Sequence, residues 1–370
     1  WRDGPGCAAH RTLRPHRTLG KEGMKVPAPL HTVANLVYGW WQERGDSEPE
    51  RGYLGASAIG GPCERALWYG FRFASPRKFE GRTYRLFNRG QREEATIVEE
   101  LRGIGCEVSE FNPDGEQWGF KAIGGHFSGH MDGAVSNTPY AKAWAVLEAK
   151  THSVKSFKEL TDKGVAVSHP THWHQMNVYM GQMGMDRAMY YAVAKDTDAI
   201  HTEWLHFDQE EYDKMMARAV RIITAAEPPL RLSDDASWYQ CKWCDHSDVC
   251  HGTEAPRATC RTCAHSTPIT DKDGAVWDCA KHSAEIPIDA QRTGCAGHRY
   301  IPILLANFAE YLGTEDGENP LYRNTATGQE FHNGEADKHY TSIEIRACSN
   351  KQALGDAGVD DIKQVFGARV

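Results

Sequence analysis

The sequence predicts an α/β fold: a mixed central sheet flanked by helices, with cysteine-rich metal modules after it. Short strand-like runs with hairpin turns come first, then helical patterns and a further strand pair, the interleaving that builds a mixed sheet. The run RAMYYAVAK at 187–195 is apolar enough for a buried strand, and HTEWLHF at 201–207 alternates as its partner. Beyond residue 240, cysteines recur in C-x2-C pairs, which in a long chain read as metal binding rather than as a disulfide framework.

Of the 370 residues, 40% are hydrophobic and 25% charged, which excludes a chain disordered throughout. No apolar run approaches the ~18 to 20 residues that span a bilayer, and the N-terminus lacks a secretory apolar core. The expectation is a cytoplasmic protein in a reducing compartment, without membrane association. A formal net charge of -8, from 50 acids against 42 bases, means that bulk charge cannot draw the chain to nucleic acid. Any such contact needs a local basic groove.

In chain order, residues 1–23 are rich in Arg, His and Gly without an apolar period, and read as a disordered or non-native leader in which Cys7 needs no function. Residues 24–83 form an N-terminal helical region. Its first helix is expected from Val33 to Glu43; Gly60, Gly61 and Pro62 then force a turn, and a helix begins at Cys63, where the backbone dipole favours thiolate. The core is expected over 84–237. It opens with an amphipathic helix at 84–103 carrying Leu86, Ile97, Val98 and Leu101, followed by the β-like runs CEVSEF, GFKAIGGHFSGHMDGAV and WAVLEAK. Helices at 153–163 and 171–184 precede the strand pair, and a helix from Gln209 to Ala226 ends before Pro228 and Pro229. Cysteine modules occupy 238–252 and 258–300. The tail, 301–370, reads as a helix near 302–312, a hairpin in YRNTATGQEFHNG, and a last helix.

Two segments carry the chemistry. GHMDGAV ends a strand at Asp132, and VLEAKTHS places Glu148 and Lys150 two residues apart, hence on one strand face with Ala149 pointing away. One hairpin suffices to bring Asp132 to Glu148. The two carboxylates and the Ala149 carbonyl can then share one Mg2+ or Mn2+, with Lys150 beside them to orient or deprotonate a water that the cation activates. The competing reading is an exposed strand whose acids and lysine are solvated.

These residues resemble the PD-(D/E)xK nuclease superfamily, with Asp132 as the Asp and Glu148-Ala149-Lys150 as the (D/E)xK. Gly90 to Glu94 gives G-x-x-x-E within a helix, where the RecB-like and phage-type exonuclease branches carry a helical acid near the metal. Gln175 and Tyr179, four apart on one helix face, match the Q-x-x-x-Y of the same branches. The resemblance implies a restriction-endonuclease-like core, with Glu94, Asp132 and Glu148 as cation ligands. It makes Lys150 the base or water-orienting group, and Gln175 and Tyr179 the groups that position Lys150 or the strand. The pattern departs at Gln91, where RecB-like members often carry a histidine. His126 and His130 flank the Asp132 strand and read as either substrate-facing or structural.

CKWCDHSDVC holds Cys241, Cys244 and Cys250, one thiolate short of a tetrahedral set, and Cys63 supplies a fourth from ahead of the core. One cysteine before the core and three after it resemble the iron-sulfur nucleases of the RecB type, CRISPR-adaptation exonucleases among them. The resemblance implies a [4Fe-4S] cluster, while four thiolates suit zinc equally. Cys260, Cys263, Cys279 and Cys295 form C-x2-C-x15-C-x15-C and read as a separate, local Zn2+ site. His265, His282 and His298 keep a mixed ligand set open, and a second cluster is the rival. Cys106 and Cys348 read as buried apolar residues.

The function predicted is a metal-dependent DNA nuclease, an exonuclease by resemblance across residues 55–252, acting on linear or single-stranded ends. A recombination or CRISPR-adaptation protein is the partner class implied. The alternatives are a metal-stapled DNA-binding or protein-interaction module without catalysis, and a CRISPR-adaptation trimming factor. Arg65, Arg72, Arg77, Lys78, Arg82, Arg85, Arg89 and Arg92 crowd between Cys63 and Glu94, beside Trp68, Tyr69, Phe71 and Phe73. They form either a DNA track with stacking surfaces or a solvated face over an aromatic core.

Overall fold

A computed structural model describes residues 32–76, 79–336 and 338–367. The leader at 1–23 with Cys7, and the basic pair Arg77 and Lys78, lie outside the described residues. Helix α1 (Val33–Asp46) is capped by the Thr32 hydroxyl, which accepts from the Asn35 N–H at 3.2 Å. After β1 (Leu54–Gly55) and the single turn α2 (Ala56–Ile59), helix α3 (Glu64–Phe71) begins directly after Cys63, whose sulfur accepts from the Ala66 N–H at 3.4 Å. The long helix α4 (Gly81–Gly103) carries α1 against its first turns. There Gly81 lets the Tyr38 carbonyl approach so closely that a Cβ would lie 1.8 Å from its oxygen.

The central sheet has five strands in the order β2 (Glu107–Ser109), β5 (Gly133–Ser136), β6 (Ala145–His152), β7 (Arg187–Ala194), β8 (Ile200–His206). Strands β6 and β7 run parallel and the other neighbours antiparallel, so the sheet is mixed as predicted. A parallel pair needs a crossover, here helices α5 (Val154–Lys163), α6 (Val165–Ser168) and α7 (Pro170–Met183). On one sheet face α4 packs Ile97 and Leu101 against Leu147, Ala149, Met189, Tyr191 and Val193. The other face, where Glu148 and Tyr190 pair across β6 and β7, lies toward α7. With both faces covered, β7 is buried from Ala188 to Ala194, which is why its sequence does not alternate. A smaller sheet joins β1, β4 (Phe127–His130) and β3 (Gly119–Ala122), and α8 (Gln209–Thr224) packs on α7 and α3.

Short helices α9 (Tyr239–Lys242) and α10 (Ser247–Cys250) lead to a three-stranded sheet of β9 (Ser266–Pro268), β10 (Trp277–Cys279) and β11 (Ala284–Ile286). The tail corrects the sequence reading. Pro302–Leu305 is a 3-10 turn, and the expected helix at 302–312 is instead strand β12 (Ala309–Gly313), which pairs with the hairpin β13 (Leu321–Asn324) and β14 (Glu330–His332). The hairpin was legible in its turn residues. The strand was not, because its five residues give too short a window to separate periods of 2 and 3.6. Helices α11 (Ser342–Ala347) and α12 (Ala357–Phe366) close the chain. One apolar core runs from Leu54 through Trp68, Tyr179 and Trp277 to Tyr340 and Leu354. Among the described residues no helix is long and apolar enough to cross a membrane.

Trp68, Tyr69, Phe71 and Phe73 all belong to the buried interior, so the stacking-surface reading yields to the core reading. Two arginines are buried with them: Arg72 is 2% exposed and Arg261 0%. Arg261 lies 4.8, 4.4 and 5.2 Å from the ring centroids of Phe71, Phe73 and Trp277. Its fork donates to the carbonyls of Phe71 and Gly52 at 2.5 and 2.7 Å and to Gln291 Oε1 at 2.8 and 2.6 Å. Arg72 donates to the carbonyls of Arg261 and Ala225 at 2.9 and 2.8 Å. Burial pushes both guanidinium groups down to about 9, and carbonyl dipoles with aromatic faces hold them in place of carboxylates.

Candidate active site

Asp132 stands at the corner between β4 and β5, one step past the Gly133–Leu147 register pair, which sets it beside Glu148. Its Oδ2 accepts from the Ala149 N–H at 2.8 Å, fixing the carboxylate to the edge of β6. Lys150 completes the group. Its Nζ forms an ion pair with Glu148 Oε1, lies 3.6 Å from Asp132 Oδ2, and donates to the Ala149 carbonyl at 3.1 Å. The ammonium thus sits among the same three oxygen donors that the sequence assigned to a divalent cation.

Glu148 is 0% exposed, and its Oε2 has no hydrogen-bond partner among the described residues. Burial raises its pKa and the Asp132 and Glu94 carboxylates raise it further, while Lys150 opposes them. Burial works against the charge on Lys150, but Glu148 and Asp132 outweigh it and hold the lysine well above its ordinary value. A buried carboxylate is neutralised by a proton or by a neighbouring cation, and Lys150 is the neighbouring cation here. Glu94 reaches the group from α4, where it lines a cavity of about 230 Å3 with Asp132, Leu147 and Ala149. Burial and then Asp132 raise its pKa. Glu110 lines the same cavity, but it is held by Arg102 at 3.0 Å.

Gln175 and Tyr179 are both buried on α7. The Gln175 amide donates to the Tyr179 hydroxyl at 3.3 Å, and that hydroxyl donates to the His130 carbonyl at 2.7 Å. They buttress the end of β4, two residues before Asp132. His126 is fully buried with Nε2 3.0 Å from the Ile269 carbonyl, a structural position, and burial pushes it down to about 4. Sequence reading passed over His152, His169, His172 and Tyr190, which the fold assembles beside Lys150 on the α7 side of the sheet. The signals were there: His152 lies two residues past Lys150, hence on its face, and His172 lies one helical turn before Gln175.

Cys63, Cys241, Cys244 and Cys250 line one cavity that contains no acid. Cys260, Cys263, Cys279 and Cys295 line another of about 220 Å3, together with His265, His282 and His298. Burial first, then the neighbouring cysteines, push the Cys260 thiol up to about 11. His282 Nε2 lies 3.4 Å from Cys295 Sγ, whereas His298 is turned to the Thr262 hydroxyl at 3.2 Å. Among the described residues, no three or more His, Cys, Asp or Glu side chains converge tightly enough to hold a metal ion. The donors are gathered by kind without closing on a common point. Of the basic stretch, Arg82, Arg85, Arg89 and Arg92 are exposed on α4 at spacings that keep them on one face, whereas Arg72 belongs to the core.

The architecture is that of a mixed α/β protein carrying an acid-acid-lysine group where two strands of its central sheet meet. Among the solved structures to which the chain is similar are the following three. One is described as SSO0001, with TM-score 0.36 and 16% identity over 60% of this chain and 96% of that one. The second is an alkaline exonuclease, LHK-Exo, from Laribacter hongkongensis, with TM-score 0.35 and 14% identity over 50% of this chain and 90% of that one. The third is a phage-related exonuclease from Haemophilus somnus 129PT, with TM-score 0.33 and 16% identity over 46% of this chain and 91% of that one. No family model matches the chain, and neither does any curated protein. Likeness at these TM-scores carries no argument about family or activity.

Proposed function

We propose that the protein is a divalent-metal-dependent DNA nuclease of the PD-(D/E)xK type, acting as an exonuclease on linear DNA. The observation that carries this reading is the seat of the Lys150 ammonium among Glu148, Asp132 and the Ala149 carbonyl, beside a buried carboxylate oxygen that no other group satisfies. The donor set is all oxygen and suits Mg2+ or Mn2+. When bound there, the cation would polarise the scissile phosphate and acidify a water. Asp132 and Glu148 would hold it from the β4–β5 corner and from β6, and Glu94 would face it across the cavity. Lys150, displaced from the oxygens, would orient the attacking water or take its proton. The test is incubation of the purified protein with end-labelled linear and with circular DNA in Mn2+ or Mg2+. Release of nucleotides from linear DNA alone supports an exonuclease, cutting of both an endonuclease, and cutting of neither a binding module.

The exposed arginine face of α4 is the reading's DNA contact. DNA affinity is expected to fall steeply with salt although the protein is acidic overall. Replacing Arg82, Arg85 and Arg89 together with Gln should lower the slope of log affinity against log salt by about 3, or about one per lost phosphate contact. An unchanged slope in a filter-binding titration would place the groove elsewhere.

The two cysteine groups are proposed as a [4Fe-4S] site at Cys63, Cys241, Cys244 and Cys250, and a Zn2+ site at Cys260, Cys263, Cys279 and Cys295. The first joins residues far apart in sequence, so closing it removes loop entropy worth about 4 to 5 kcal/mol from the unfolded chain. Cys63→Ala is expected to bleach visible iron-sulfur absorbance and lower the melting temperature while leaving zinc in place. Cys279→Ala should do the reverse. Anaerobic metal analysis of both variants checks this, and zinc in both groups or iron in both would revise the assignment.

A further inference from the structure

The loop between β2 and β3, residues 110–118, is fixed by bonds that hold one exposed side chain in place. The Trp118 indole donates to the Ser109 hydroxyl at 3.0 Å, and that hydroxyl donates its own proton to the Phe111 carbonyl at 3.0 Å. Phe111 and Gln117 form an antiparallel bridge, closed toward the tip by the Asn112 N–H donating to the Glu116 carbonyl at 2.7 Å. The Asn112 side-chain oxygen accepts from the Asp114 and Glu116 N–H groups at 3.0 and 2.9 Å, and Gly115 completes the turn at φ +81°. The loop is therefore stiff.

It is also tied to the acid at the sheet corner. Gln117 Nε2 donates to the Met131 carbonyl at 3.0 Å, and the Met131 N–H donates to the Trp118 carbonyl at 2.9 Å. Met131 directly precedes Asp132, so one short run of bonds fixes Phe111 relative to that carboxylate. The two residues line the same cavity of about 230 Å3, with Glu94, Leu147 and Ala149. Phe111 is nonetheless 56% exposed, so burial of its ring adds little to the fold that would account for so firm a mount. Glu110 beside it is paired with Arg102 at 3.0 Å, which offsets a charge that would repel a phosphate on the approach.

We propose that Phe111 is the stacking surface for the nucleobase at a DNA end, the base of the nucleotide whose phosphate enters the cavity with Glu94 and Asp132. This deepens the nuclease reading above and rests on it. A phenyl ring can lie against any base, so the seat is indifferent to sequence. It does require a base with a free face. Inside a duplex both faces are covered by neighbouring bases, whereas a terminal base leaves one open. Phe111 is thus a specificity residue that favours ends over interior positions.

The test measures kcat/KM in Mn2+ on short linear DNA, single- or double-stranded according to which the parent protein degrades. Intact DNA is compared with DNA that lacks the terminal base at the 5′ end or at the 3′ end. Phe111→Ala is expected to lower kcat/KM on intact DNA about tenfold, the size of one lost base stack. With the base missing at one of the two ends, the parent should fall by a similar factor and Phe111→Ala no further, because the group that the ring meets is already gone. Phe111→Trp should keep the parent's preference for the intact end, and Phe111→Leu, which retains apolar bulk without an aromatic face, should lose most of it. The loop is held through the Phe111 backbone, so all three variants are expected to melt with the parent. A loss in Phe111→Ala that is equal on intact DNA and on both abasic forms overturns the proposal, as does a Phe111→Ala protein with the parent's kcat/KM on intact DNA. A parent protein that cleaves none of these substrates overturns the nuclease reading instead.

Discussion

Glu148→Gln is expected to reduce Mn2+-dependent cleavage of linear DNA by at least about a hundredfold, the scale for removing one group that stabilises developing charge. The substitution keeps the side chain's shape at a position with 0% exposure, so the sheet and the arginine face of α4 remain. Lys150→Met should match the loss of activity and differ in stability. Lys150, itself partly exposed, is the charged partner of the buried Glu148, and removing it leaves that carboxylate uncompensated at a cost of up to about 3 kcal/mol. Metal-free Lys150→Met is therefore expected to melt well below the parent protein. Because a cation and the ammonium neutralise the same oxygens, Mg2+ should restore much of that loss in the variant and raise the parent little. Full cleavage by both variants, or a Lys150→Met protein whose melting temperature ignores Mg2+, would sink the site assignment.

Arg261→Ala should be the most damaging substitution outside the cysteines. The side chain is 0% exposed and donates to two carbonyls and to the Gln291 amide oxygen, while its plane covers three rings. Truncation leaves those acceptors buried and unsatisfied and opens a cavity beneath Trp277. Either effect alone costs a few kcal/mol, and together they amount to about 5 kcal/mol or more, the net stability of many domains. The expected outcome is insoluble protein, or a urea midpoint shifted far down. Arg261→Lys keeps a charge but lacks the planar fork, and should fall between. Arg323→Ala, on an exposed pair with Glu310 and Glu330, should change stability by less than about 1 kcal/mol and serves as the comparison. Similar midpoints for Arg261→Ala and Arg323→Ala would refute this account of the interior.

What was legible in the sequence was local. The period-two spacing of Glu148 and Lys150, the four-residue spacing of Gln175 and Tyr179, and the unbroken apolar run of β7 each follow from one element's geometry, and each element formed where its pattern placed it. The partner of Tyr179 was not legible, because it is a backbone carbonyl 49 residues away, and backbone groups leave no trace in residue identity. Arg72 misled for a related reason, and Arg261 was passed over. An arginine in a charged stretch reads as solvated, and only three-dimensional packing puts carbonyls and ring faces around it. The histidines beside Lys150 were dispersed over 20 residues and two kinds of element, so no window contained them. The strand β12 was lost to a short window followed by a turn.

Leu54 and Leu354 belong to one apolar core, which gives the chain a timetable during synthesis. The 300 residues between them take roughly 15 to 60 s to leave a ribosome at about 5 to 20 residues per second. For the first part of that interval Phe71 lacks the Arg261 and Trp277 that later enclose it, and Cys63 waits for partners near residue 241. The nascent protein is thus sticky and oxidisable until those partners emerge. Its yield in a host cell should rise with holding chaperones and with low oxygen.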